Sequence, residues 1–164
     1  MHGSGERMRQ TPVHPRTLGY LGRALSLEYS AVQQYMTQAS LCEAWGLPAE
    51  AERFRREVTE EMNHAERLVK RMLGLNVAPN ASRLQPAGVA RSLVDLLRQD
   101  KVLEGQIVGL YEEAARFSRT IGDHENAGFF EALLREELEH AREIEAWLAE
   151  LGAPARGEDD RAYF

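Results

Sequence analysis

The chain has 164 residues, 43% of them hydrophobic and 28% charged, with 20 Lys and Arg against 26 Asp and Glu for a formal charge of −6. That length suits one domain with a single core, and the acidic balance argues against nucleic acid, which requires clustered Lys and Arg. Cys42 is the one cysteine, which excludes an intrachain disulfide and a Cys-x-x-Cys metal site, and no stretch approaches the roughly 20 apolar residues of a membrane span.

Residues 1–15 read as a loose N-terminal tail, with Gly3, Gly5, Pro12 and Pro15 and no apolar stretch of the kind a signal peptide carries, so a cytoplasmic setting is expected. A helical period then runs from about Arg16 to Trp45 through Leu18, Leu21, Leu25, Ala31, Tyr35, Ala39 and Cys42. Gly46-Leu47-Pro48 breaks it. The second helix is predicted from about Ala49 to Leu75, with Phe54, Val58, Ala65, Leu68, Met72 and Leu75 as its seam. Asn76 to Gly88 has no period and reads as the one long connection. A third helix follows from about Val89 to Ile121 through Leu93, Leu97, Ile107, Tyr111 and Ala114. Gly122-Asp123 interrupts it, Asp123 being a fair N-cap. The fourth helix runs to about Leu151 through Ala127, Phe130, Leu134, Ala141, Ile144 and Leu148. No run alternates with period two, so no strand is expected.

The predicted fold is all-α: a four-helix bundle over 16–152, two helical hairpins joined by one long crossover, followed by a polar tail over 153–164. One long crossover is the ferritin-like topology.

Each helix carries a glutamate where its seam calls for an apolar residue: Glu28, Glu61, Glu104 and Glu137. Lone ionised carboxylates are costly in a core, so four together require a shared cation. Histidines follow two of them at i+3, as Glu61-x-x-His64 and Glu137-x-x-His140, a spacing that puts both side chains on one helix face. Glu28 to Glu61 and Glu104 to Glu137 are both 33 residues, and Gly46 and Gly122 divide the two intervals identically. Helix rise takes the chain out about 27 Å and back about 22 Å, so both glutamates of each hairpin sit at one level. Two similar half-sites should therefore face each other across a pseudo-twofold axis. Four carboxylates and two imidazoles suit two metals, each with one histidine and one terminal carboxylate, the other two carboxylates bridging. Oxygen-rich donors favour Fe, with Mn as the alternative, and ferritin-like bundles hold paired metals with this set.

From about Leu18 to Leu151 the sequence resembles a bacterioferritin. The resemblance is carried by Leu27-Glu28, Gln34-Tyr35, Trp45-Gly46-Leu47, Glu61-Met62-x-His64-Ala65-x-Arg67, Leu103-Glu104 and Glu136-Glu137-x-x-His140. It implies a ferroxidase that oxidises two Fe²⁺ with O₂ or peroxide, for iron storage or detoxification. It also implies a haem b held by Met62 and its twin across a homodimer, and assembly up to a 24-subunit cage. Met62 adjoins Glu61, which turns it about 100° from the metal core; its other reading is a gap-filling apolar residue. Tyr35, seven residues past Glu28 as Tyr111 is past Glu104, reads either as a donor that orients a carboxylate ligand or as a buried aromatic with a satisfied hydroxyl, and Tyr111 leans to the second. His2, His14 and His124 have no spaced partner and are expected to be exposed; Cys42 is expected to be core filler.

Three departures from the family accompany the match. Gly152-Ala153-Pro154 leads to a polar tail where bacterioferritins usually continue into a fifth helix. An additional inner-surface iron ligand of the family falls at Arg56, and a tryptophan often found three residues beyond the second histidine is Glu143. The competing readings are a di-iron peroxidase of rubrerythrin type, a di-manganese catalase, and a haem-carrying or structural oligomer whose metals only stabilise the bundle.

Overall fold

The computed structural model describes residues 12–81 and 83–153. They form four helices: α1 (Pro15–Ala44), α2 (Pro48–Gly74), α3 (Leu93–Thr120) and α4 (His124–Glu150). No strand occurs among the described residues. The expected tails largely fall on residues 1–11 and 154–164, outside the described residues, and so does His2.

Each helix is stopped by the same device. Gly46, Gly122 and Gly152 adopt φ values of +75°, +75° and +69°, and Asn76 adopts +58°, the left-handed conformation that turns the chain back over the last helical carbonyls. The amide after each reaches five residues back: Leu47 to Cys42 O at 2.8 Å, Val77 to Met72 O at 2.9 Å, Asp123 to Ser118 O at 2.9 Å and Ala153 to Leu148 O at 3.0 Å. Three-residue turns, Trp45–Leu47 and Ile121–Asp123, then suffice to close the two hairpins.

The helix starts differ in detail from expectation. Pro15 is already the first residue of α1, and the exposed His14 caps it by accepting from the Arg16 amide through Nδ1 at 3.1 Å. The third helix begins at Leu93, not near Val89, because Ser92 takes an extended conformation and its hydroxyl accepts from the Asp95 amide. The crossover is therefore longer than predicted. It is tied down the outside of the bundle by the Gln85 amide on Ser30 Oγ at 2.9 Å and the Gly88 amide on Gln34 Oε1 at 3.3 Å. Asp123 caps α4 as predicted, accepting from the Asn126 amide.

Helix α1 packs closely on α2 and α3, and α3 on α4. The core contains Tyr20, Leu21, Leu25, Phe54, Leu68, Leu96, Leu97, Ile107, Phe130 and Leu133, all at most 1% exposed. Cys42 is buried among them. On α4 the seam differs from prediction by one position: Leu133 is fully buried and Leu134 only partly, with Trp147 completing the core against Phe54. Apart from Phe54 on Trp147, the α2–α4 gap is bridged by long polar side chains, among them Arg71 on Asn126 and Arg67 on Glu136. That gap holds the polar interior of the bundle.

Candidate metal centre

Glu28, Glu61, Glu104 and Glu137, one from each helix, converge inside the bundle with no solvent exposure, and His64 and His140 are buried beside them. They form two overlapping groups, Glu28–Glu61–His64–Glu137 and Glu61–Glu104–Glu137–His140. Within each group one donor atom per residue lies within 4.8 Å of all the others, and Glu61 and Glu137 belong to both.

The imidazoles present Nδ1 inward. His64 Nδ1 lies 2.6 Å from Glu137 Oε1 and 3.3 Å from Glu61 Oε2; His140 Nδ1 lies 3.0 Å from Glu61 Oε1 and 3.6 Å from Glu137 Oε2. Each Nε2 is held from the opposite helix by an outer carboxylate: His64 by Glu136 at 3.0 Å and His140 by Glu60 at 2.7 Å. An imidazole whose Nε2 proton is held by a carboxylate keeps its Nδ1 lone pair for a cation. The tyrosine hydroxyls complete the pattern crosswise, Tyr35 donating to Glu104 Oε1 and Tyr111 to Glu28 Oε1. Tyr111, whose sequence reading leaned toward a buried aromatic with a satisfied hydroxyl, is buried and makes the same kind of bond as Tyr35.

The protonation balance is what four buried carboxylates without a cation require. Burial pushes Glu28 and Glu104 well above the ordinary carboxylate range. Burial acts the same way on Glu61, but its contacts with His140 and His64 outweigh it and bring the group down to about 2. The imidazoles respond in kind: burial opposes their charge, yet Glu137 and the other carboxylates raise both, His140 to about 12. Burial also raises both tyrosines, which keeps their hydroxyls protonated as donors.

Even so, Glu28 Oε2, Glu104 Oε2 and Glu137 Oε2 have no hydrogen-bond partner. Buried carboxylate oxygens normally find donors; here they point with two Nδ1 atoms into a common space. This oxygen-rich, nitrogen-poor donor set fits a pair of hard or borderline cations such as Fe²⁺ or Mn²⁺.

Met62 stands outside this centre, on the outer surface of α2 and 47% exposed. Arg56, Glu143 and His124 are exposed as well. No role was read from the sequence for the outer carboxylates, Glu136 entering only within the Glu136-Glu137-x-x-His140 match and Glu60 not at all, although the doubled Glu before both Glu-x-x-His motifs was the available signal. Asp100 was missed too. It is fully buried on α3, one turn before Glu104, with Oδ1 accepting from Gln34 Nε2 at 3.0 Å and Gln38 Nε2 at 2.6 Å. Burial raises it to about 7 against the pull of those two amides.

The ferritin-like domain family model matches residues 18–153. The bacterioferritin of Rhodobacter capsulatus is 31% identical over 134 residues, 82% of this chain and 83% of that protein. That of Mycobacterium leprae is 30% identical over 138 residues, 84% and 87% of the two chains. A solved structure of the Rhodobacter capsulatus protein, with its dinuclear site metal-free and its haem iron in a crystallographic special position, superposes with a TM-score of 0.82 at 30% identity, covering 87% of this chain and 89% of that one.

Proposed function

This chain belongs to the ferritin-like family, among the bacterioferritins, and on that premise we propose that it is a ferroxidase serving iron storage or detoxification, with Fe²⁺ as substrate. The observation that carries the reading is the pair of buried donor groups sharing Glu61 and Glu137. Glu28 and His64 would hold one Fe²⁺, Glu104 and His140 the other, and Glu61 and Glu137 both. Each Fe²⁺ bound there supplies one electron to O₂ or peroxide.

The chain's own groups set the conditions for that transfer. Tyr35 and Tyr111 fix one oxygen of Glu104 and Glu28 and leave the other free. Glu60 and Glu136, each on an Nε2, leave the Nδ1 lone pairs to the metal once the imidazoles lose their second proton. The protons on Glu28, Glu104 and the histidines leave as metal enters. The proposed unit is the bundle, residues 16–152, acting in the cytoplasm; no described helix is long and apolar enough to cross a membrane.

Anaerobic Fe²⁺ titration should saturate at two ions per chain, and admitting air should oxidise them faster than buffer does. Glu61→Ala or Glu137→Ala removes a ligand shared by both ions and should abolish the fast phase. Wild-type rates in both variants would refute the ligand assignment. Manganese in the purified protein, or turnover of peroxide without iron oxidation, would favour the catalase or peroxidase readings instead.

Exposed Met62 supports the remaining part of the proposal, a haem b shared by two copies of the chain in a dimer that is also the building block of a cage. Haem-loaded protein should then be dimeric or larger, with a sharp Soret band that shifts or disappears in Met62→Leu. A fully occupied haem with an unaltered spectrum in that variant removes Met62 from the haem site.

A further inference from the structure

The two halves of the centre are related by a shift of 76 residues: Glu28 corresponds to Glu104, Glu61 to Glu137, His64 to His140, Tyr35 to Tyr111 and Gly46 to Gly122. Extending that shift outward exposes where the symmetry fails. Asp100, buried one turn from Glu104, corresponds to Ala24, and its amide partners Gln34 and Gln38 correspond to Leu110 and Ala114. Glu57, which with Glu60 and His140 forms a third group of donor atoms within 4.8 Å of one another, corresponds to fully buried Leu133. The outer carboxylates are present on both sides, but Glu136 is neutralised by Arg67, whose Nη1 donates to its two oxygens at 2.9 and 2.7 Å. The residue in Arg67's place on the other side is Glu143, an exposed carboxylate of α4 three residues beyond His140. Among the described residues no arginine forms an ion pair with Glu57, Glu60 or Glu143. One half-site is thus set among alanine, leucine and a neutral ion pair, and the other among four additional acidic groups.

We propose that the two metal positions fill in a fixed order, the Glu104–His140 position first, and that Asp100, Glu57, Glu60 and Glu143 are the residues that set the order. This rests on the dinuclear reading above. A divalent cation interacts twice as strongly as a proton with each added carboxylate. Asp100 and Glu57 do so from surroundings that water screens poorly. The first ion also partly neutralises shared Glu61 and Glu137, so the second binds more weakly to the half that has no additional charge. Glu57, Glu60 and Glu143 further provide an acidic approach to His140 from outside, whereas on the His64 side the outer carboxylate, Glu136, is already neutralised by Arg67.

Anaerobic titration with Co²⁺, followed by its visible absorption and by calorimetry, tests this without turnover. The expected result is two ions per chain in two steps, the first at least roughly tenfold tighter. His64→Gln should retain the tight step and His140→Gln should lose it. Glu57→Gln combined with Asp100→Asn, which keeps the acceptor for Gln34 and Gln38, should weaken the tight step on the order of tenfold and leave the weaker one in place. Two steps of equal affinity, a tight step that follows His64 instead of His140, or a tight step unaltered in the Glu57→Gln/Asp100→Asn protein would each overturn the order proposed. Fewer than two Co²⁺ per wild-type chain would instead overturn the dinuclear reading and the inference with it.

Discussion

A redox-inert divalent metal in excess over its two sites should raise the melting temperature of the apo-protein by more than ten degrees, and by more at pH 8.5 than at pH 6.5. At a free concentration a thousand times Kd, each site adds about 4 kcal/mol, and a chain of this size gains about 2–4 °C per kcal/mol. The pH dependence follows from the protons that stand in for metal. Glu28 and Glu104 are raised by burial, and His64 and His140 by their carboxylate neighbours. Groups raised on folding stabilise fully below their unfolded pKa and lose that contribution as pH rises toward the folded value. Unfolded histidine titrates near about 6.5. Between pH 6.5 and 8.5 the folded apo-protein therefore binds more protons than the unfolded chain, and its stability falls with pH. Each additional proton contributes about 1.4 kcal/mol per pH unit, so the two histidines account for up to about 5 kcal/mol over this window, and the protons that Glu28 and Glu104 retain add to the fall. Glu61 is lowered to about 2, so its contribution is present above the ordinary carboxylate range and disappears only in acid. Metal competes with those same protons, and its affinity rises over the window where the apo-protein weakens. Melts with and without Zn²⁺ at the two pH values check this. A metal-induced shift that is unchanged or smaller at pH 8.5 would mean that protons do not occupy the centre in its place.

The seam glutamates and their repeat were legible because burial and helical periodicity act along the chain. A charged residue at a core position is visible wherever its neighbours at three and four residues are apolar, as with Glu28 between Leu25 and Ala31. Equal spacings in the two hairpins then brought the half-sites to one level. The tyrosine partners could be read only as far as their register, because the crossed pairing of Tyr35 with Glu104 and Tyr111 with Glu28 depends on which helices lie side by side. Asp100 escaped notice for the same reason. It occupies a seam position four residues before Glu104, but the amides that satisfy it come from Gln34 and Gln38 on another helix. Glu60 and Glu136 sit one residue off the seam and look solvated in sequence, yet each reaches the imidazole across the α2–α4 gap. The start of α3 was placed too early because Val89 and Ala90 continue an apolar rhythm, whereas the Ser92 cap decides the boundary.

Replacing Glu28 by methionine together with Tyr111→Phe should make the apo-bundle more stable while ending its capacity for two metals. Glu28 is fully buried, with one oxygen on Tyr111 and the other without a hydrogen bond. The pair can be exchanged for apolar groups of similar volume among Ala24, Leu25 and Phe130, which line the core. Replacing both partners of a buried hydrogen-bonded pair by apolar groups of like shape is nearly neutral or stabilising, here by on the order of 1 kcal/mol, or about 2–4 °C at the conversion for this chain length. The single change Tyr111→Phe should do the opposite, because it takes from the buried Glu28 carboxyl the hydroxyl that donates to Oε1, at a cost of about 1–3 kcal/mol. Glu61→Met should be worse still. It removes the carboxylate that both His64 and His140 contact, and stripping the partner from a buried charge costs about 3–5 kcal/mol. The signs, gain for the double exchange and loss for both single ones, separate a centre retained for metal from one retained for stability. Thermal melts of the three metal-free proteins beside wild type give the answer. If the Glu28→Met/Tyr111→Phe bundle melts below wild type by as much as Glu61→Met does, the carboxylate and its tyrosine stabilise the apo-fold themselves, and a stability cost borne for metal binding is ruled out at that position.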